Sequence, residues 1–175
     1  LNRMQVNVLK NGKGHLLHPK TRVVVCSYGL APSLVKNGML TPGMFKSVIV
    51  DESHYLKSMK TKRTKALMPI LQGAIRCVLL SGTPALARPS ELWPQLLILR
   101  GESGLWFRNE ADFYDKYVTR SSAKRRAELH TMLTGTVMIR RLKKDMLKNL
   151  PMKQREKAVV NVTKEADRRE FHRCM

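Results

Sequence analysis

Two polar groups stand where apolar runs of this sequence end. In "SVIVDESH" a β-branched run delivers Asp51, Glu52 and, one serine later, His54. In "VLLSGTP" a second apolar run ends in Ser81, Gly82 and Thr83. Adjacent acids suit divided work at a nucleotide: one carboxylate holds Mg²⁺, usually through its water, while the other orients and activates the water that attacks the γ-phosphate. Open parallel sheets bind ligands beyond the carboxyl ends of their strands, and a chain that turns there can aim both carboxylates into one crevice. The same acids could instead cap a following helix, which requires no ligand. A second polar motif at a second strand end favours a site over a cap.

The elements that must position these groups follow from the apolar pattern. Arg22 to Tyr28, Ser47 to Glu52 and Ile75 to Thr83 read as strands, apolar on both faces as in a parallel sheet covered by helices. Lys60 to Gly73 reads as a helix ended by Gly73, with Pro69 as an interruption. Strand, helix, strand is an α/β unit. Arg88 to Leu99 predicts a helix with Pro89 in its first turn and Glu91 near its positive end, although Pro94 complicates its course. Asn109 to Val118, Ser122 to Gly135 and Val137 to Leu150 read as helical and basic, and Lys157 to Val162 as a returning strand. The expected organisation is part of an α/β lobe over residues 1–100, a helical bridge over 101–156 and the opening of a second lobe over 157–175.

Charge restricts the partner. The 175 residues carry 33 Lys plus Arg against 13 Asp plus Glu, a net charge of +20. A polyanion is the natural complement, and nucleic acid fits best because phosphate contacts dominate its affinity. Three clusters could meet phosphates: Lys57 to Lys65, Arg120 to Arg126, and Arg140 to Lys144, which includes Arg141 and Lys143. Each could equally be a solvated helix face. Aromatic residues make up 6% of the chain, too few for base-stacking readout to be expected. Cys26, Cys77 and Cys174 form no Cys-x-x-Cys pair, which argues for a reducing compartment, and the first two read as small buried hydrophobes. No apolar run is long enough to span a bilayer, so no membrane partner is expected. His15 and His18 have zinc-compatible spacing without a second pair, and Trp93, Trp106, Phe113 and Tyr117 read as packing residues. A serine-hydrolase relay among Asp51, Ser53 and His54 is disfavoured, since such close neighbours do not readily form it and no nucleophile elbow is present.

"CSYGL", "DESH" and "LLSGTPA" together resemble motifs Ib, II and III of superfamily 2 helicases, and "RRLKKDMLKNLPMKQRE" resembles the segment that follows the first lobe of Swi/Snf-type ATPases. Ser53, Ala85 and "ARPSELWPQL" are similar to the annealing-helicase branch, the HepA-related fork-remodelling translocases. The resemblance implies an incomplete RecA-like lobe from an ATP-dependent DNA translocase, nuclear, acting on branched or forked DNA in repair. It also implies contacts with single-strand-binding or clamp proteins through other segments. By this resemblance Asp51 binds Mg²⁺, Glu52 activates water, and His54 links the nucleotide site to motif III. Ser81, Gly82 and Thr83 would couple hydrolysis to DNA grip, while Lys57, Arg140, Arg141 and Lys143 would touch DNA. Nucleosome remodelling is the alternative within the class. A basic, non-catalytic DNA-binding module is the alternative outside it, because no G-x-x-x-x-G-K followed by Ser or Thr occurs in these residues. These residues alone are therefore not expected to turn over ATP. Leu1 in place of Met and the helix-like last segment read as a piece of a longer protein, whose sheet would expose an edge and aggregate in isolation.

Overall fold

Among the described residues, short strands pair in parallel: β1 (Val6–Val8) with β2 (Val23–Val25), and β3 (Ser47–Val50) with β4 (Arg76–Leu79). The computed structural model describes residues 5–11, 17–85, 88–99 and 107–142. It divides into two compact units, Leu1–Met138 and Ile139–Met175. Parallel neighbours need a crossover. Between β3 and β4 it consists of a 3₁₀ turn (Ser53–Leu56) and an α-helix (Lys62–Gln72) that becomes α2 once α1 (Ala31–Lys36) is counted.

The strands are shorter than the sequence suggests, and the described elements cover one face of each pair. In the β3–β4 register Val48 lies opposite Cys77 and Val50 opposite Leu79. These side chains pack with Leu56, Met68 and Leu71. Ile49 and Val78, opposite each other one residue out of phase, are 70% and 49% exposed. The expectation of strands buried on both faces is therefore corrected. Side chains alternate along a strand, and the described helices contribute to the core on one face alone. Val8, Val23 and Val25 are likewise exposed, while Val24 and Cys26 join Leu34, Leu40 and Ile70.

Helix α1 was not anticipated, nor was β1. It begins where the Ser27 carbonyl accepts from the amides of Leu30 and Ala31, and Pro32 in its first turn is preorganised for a helix. Helix α2 starts at Thr61, whose hydroxyl accepts from the Thr64 amide, and runs through Pro69 for one further turn. The proline stops nothing here because the helix ends at Gln72 and the Gly73 amide closes on the Pro69 carbonyl at 3.0 Å. Gly73 is required by close approach: a Cβ there would stand 2.8 Å from the Gly43 backbone nitrogen. Helix α2 joins the two strand pairs, since Ile70 packs with Leu34 and Leu40 while Met68 and Leu71 pack under β3 and β4.

A third apolar cluster is helical. The single helix expected over Arg88 to Leu99 is instead a 3₁₀ turn (Pro89–Leu92) followed by α3 (Trp93–Ile98), and Pro94, which complicated the pattern, lies in the first turn of α3. Helix α4 (Glu110–Tyr114), capped by Asn109, widens into a π-turn (Asp115–Thr119), and α5 (Ala123–Thr136) is capped by Ser122. Trp93, Phe107, Phe113 and Tyr117 are buried as packing residues, with the Phe107 and Phe113 rings edge to face at 5.1 Å. Phe113 is 0% exposed, and its truncation to Ala should cost about 3–5 kcal/mol. Residues 137–142 are not helical, contrary to the pattern. The amides of Val137 and Met138 both close on the Leu133 carbonyl, and the β-branched Thr134, Thr136 and Val137 disfavour continuation. Trp106, His15 and the expected strand at Lys157 to Val162 lie outside the described residues. No helix among the described residues is long and apolar enough to cross a membrane.

Candidate functional site

Because β3 and β4 run parallel side by side, their carboxyl ends open at the same edge. The Leu80 amide donates to the Val50 carbonyl and the Ser53 amide to the Leu80 carbonyl, both at 2.8 Å. The ladder thus continues past the strands and holds the acidic turn against the hydroxyl loop. Glu52 sits in left-handed backbone conformation at φ 49°, the one described non-glycine residue with positive φ. Such a position costs on the order of 1–3 kcal/mol and persists only when its surroundings over-determine it. Here the Glu52 amide donates to Asp51 Oδ1 at 2.9 Å, the Tyr55 amide donates to the Glu52 carbonyl at 3.0 Å, and Tyr28 Oη donates to the Asp51 carbonyl at 2.6 Å. The turn leaves both Asp51 and Glu52 exposed.

His54 joins the two strand ends. Its Nδ1 lies 3.1 Å from Glu52 Oε2 and 3.2 Å from Ser81 Oγ. When that nitrogen carries a proton it donates to the carboxylate; when bare it accepts from the serine hydroxyl. Ser81 Oγ also accepts from the Thr83 amide at 3.2 Å, so the loop folds back on its own hydroxyl. The Tyr55 ring stacks on His54 at 4.8 Å and meets Tyr28 at 5.4 Å, and the Arg63 guanidinium lies over the same Tyr55 ring, 5.4 Å from its centroid. Burial, followed by the Asp51 and Glu52 carboxylates, pushes the Tyr28 phenol up to about 12. It therefore stays a hydrogen-bond donor to the acidic turn at neutral pH.

Of the residues singled out from the sequence, Asp51, Glu52, His54, Ser81 and Thr83 come together here. Gly82 lies within the same loop, and a Cβ at that position would meet nothing within 4 Å. Lys57 follows the 3₁₀ turn, and its ammonium stands 3.7 Å from Glu91, beside the site. Arg140 and Arg141 are exposed and belong to the second unit, and Lys143 lies outside the described residues. His18 Nδ1 accepts from the Lys20 amide, and no group of three potential ligands gathers among the described residues. The exposed Asp51 carboxylate supplies the oxygen chemistry that Mg²⁺ takes when it keeps most of its water. Cys26 and Cys77 are partly buried, and burial raises both thiols, Cys77 to about 11. They are inert packing groups.

Sequence reasoning missed Tyr28 and Gln95 as parts of this site. Gln95 is 5% exposed; it accepts from Ser53 Oγ at 2.9 Å and donates to the Pro84 carbonyl at 2.7 Å. The available signal was an amide inside the apolar run "LWPQLLIL". A buried amide must find partners.

The fold and site define a class: an α/β domain with an acid pair beyond one parallel strand and a hydroxyl loop beyond its neighbour. The chain matches the SNF2-related domain over residues 3–173 and belongs to that family, as the three motifs implied. It is 40% identical over 163 residues to a SWI/SNF-related matrix-associated actin-dependent regulator of chromatin subfamily A-like protein 1 from Bos taurus, covering 88% of this chain and 16% of that protein. The Xenopus laevis protein of the same name is 37% identical over 169 residues, covering 91% and 17%. The DNA annealing helicase and endonuclease ZRANB3 of Mus musculus is 39% identical over 166 residues, covering 87% and 15%. The chain thus spans a small part of the length of these relatives.

Proposed function

We propose that these residues form the acidic-turn and coupling-loop portion of a DNA-dependent ATPase, part of a longer nuclear protein that rewinds or remodels branched DNA at replication forks. The observation that carries this reading is the chain of contacts from Glu52 through His54 to Ser81 across two parallel strand ends. It gives one exposed carboxylate a route to the adjoining loop. Glu52 takes the proton of the attacking water, and Asp51 provides the oxygen ligand that holds a hydrated Mg²⁺. Mg²⁺, when bound, neutralises charge on the β- and γ-phosphates. His54, Ser81 and Thr83 relay the state of the acidic turn to the DNA-gripping loop. Lys57, Arg140, Arg141 and Lys143 contact DNA phosphates, which accords with a net charge of +20.

The annealing activity is carried over from the name of the mouse relative, a DNA annealing helicase and endonuclease. In this reading residues 1–100 are the remainder of a RecA-like lobe, 101–156 a bridge and 157–175 the start of a second lobe. Single-strand-binding or clamp proteins would meet other segments. A nucleosome substrate is the second reading, favoured by the words "regulator of chromatin" in the names of other relatives.

The test is ATP hydrolysis by the full-length protein with no DNA, linear duplex, forked DNA or nucleosomes. Stimulation greatest on forks supports the first reading, and greatest on nucleosomes the second. No hydrolysis under any condition would leave the non-catalytic DNA-binding module.

A further inference from the structure

Ser53 directly follows the two exposed acids, Asp51 and Glu52, yet it is itself only 1% exposed. Its hydroxyl meets Gln95 Oε1 at 2.9 Å, and Gln95 Nε2 meets two backbone carbonyls, Pro84 at 2.7 Å and Glu91 at 3.3 Å. Carbonyl oxygens only accept, so the amide must turn its NH₂ toward them and its oxygen toward Ser53. Ser53 is then the donor. The arrangement has a single consistent direction of hydrogen bonding, and its two side chains are buried and uncharged.

Its placement gives it a role. The Ser53 backbone amide grips the carbonyl of Leu80, and the Ser53 hydroxyl reaches the carbonyl of Pro84 through Gln95. Both flanks of the Ser81–Gly82–Thr83 loop are thereby tied to one residue of the acidic turn. The tie extends outward, because the Glu91 carbonyl that accepts from Gln95 belongs to the residue whose carboxylate pairs with Lys57. We infer that Ser53 and Gln95 are a positioning pair that brackets this loop and makes it move with the acidic turn. The inference rests on the proposed ATPase reading and adds a second connection to the one through His54. An alanine at position 53 has no hydroxyl to offer, so the Gln95 oxygen would be buried without that partner.

The test uses the full-length protein and a double-mutant cycle of Ser53→Ala and Gln95→Met, the methionine keeping most of the glutamine's volume. Each single variant should lower the ratio of DNA-stimulated to basal turnover by about three- to tenfold, with KM for ATP changed by less than about twofold. The double variant should be no worse than the worse single one. Hydrogen exchange at the amides of Ser81, Gly82 and Thr83 should accelerate in both variants, a readout that needs no turnover and remains if one variant folds poorly. An unchanged ratio, effects that multiply in the double variant, or equal loss of basal and stimulated turnover would each overturn the inference. Glu52→Gln is the control that separates the two claims. If the parent protein hydrolyses no ATP, the ATPase reading itself fails, and if Glu52→Gln hydrolyses as the parent does, the assignment of catalysis to Glu52 fails; if the variant abolishes hydrolysis while the pair has no effect on coupling, only the positioning pair is refuted.

Discussion

The 3₁₀ turn and its approach present two sides with opposite chemistry. On the wet side stand Asp51 and Glu52, exposed, with His54 shared between a carboxylate and the Ser81 hydroxyl. On the dry side Ser53 and Gln95 form a neutral connection that reaches the far flank of the same loop. An exposed ionisable contact can change partner with a proton or ligand at little cost, because water replaces what is lost. A buried hydrogen bond has no such replacement, so it holds geometry. The wet side suits chemistry and the dry side suits transmission.

The largest test of that contrast is at Glu52. Glu52→Gln in the full-length protein should reduce DNA-stimulated ATP hydrolysis by roughly 10²–10⁴-fold with little change in thermal stability, as measured by steady-state kinetics and a melt. Glu52→Gly should lose hydrolysis to the same extent but melt at a higher temperature than Glu52→Gln, because glycine relieves the left-handed strain by about 1 kcal/mol. A lower melting temperature for the glycine variant would contradict the claim that the left-handed backbone at Glu52 is strained.

Tyr28 lies at the boundary of the two sides, with its hydroxyl on the Asp51 carbonyl. Tyr28→Phe should destabilise the fold by about 1 kcal/mol in denaturant melts and lower turnover less than any change at Glu52. Its phenol has a raised pKa in the fold, so the stabilisation linked to its neutral form is full below about 10 and is lost as pH rises through about 12. Stability measured against pH should fall over that window in the parent and fall less in Tyr28→Phe. A parallel decline in both would remove Tyr28 from the account.

The smallest effect on activity is expected on the uncovered strand face. The isolated residues should self-associate through Ile49 and Val78, and Ile49→Lys with Val78→Lys should reduce light scattering of that fragment. Unchanged scattering would mean that the exposed apolar face does not drive association.

Much of the site was legible in the sequence, because its chemistry depends on residue type at the end of an apolar run. Asp51, Glu52 and His54 after "SVIV", and Ser81 and Thr83 after "CVLL", announce two parallel strand ends, and the structure joins them at hydrogen-bonding distance. The helical cluster was legible for a similar reason: large aromatic residues such as Phe113 and Tyr117 must be buried wherever the chain can bury them. Pro94 misled the pattern, since a proline signals an interruption or a helix start according to a position that local sequence leaves open.

What the sequence alone determined, then, was the acids, the histidine and the hydroxyls of the candidate site, without Tyr28 and Gln95, and the class of fold that could hold them. Tertiary structure decided which face of each strand is covered, the left-handed turn at Glu52, and the partnerships of Ser53 with Gln95 and of Tyr28 with Asp51. Those partners are far apart along the chain, and no local propensity specifies them. They exist because a buried donor or acceptor must be satisfied by whichever group the packing of distant elements brings within reach.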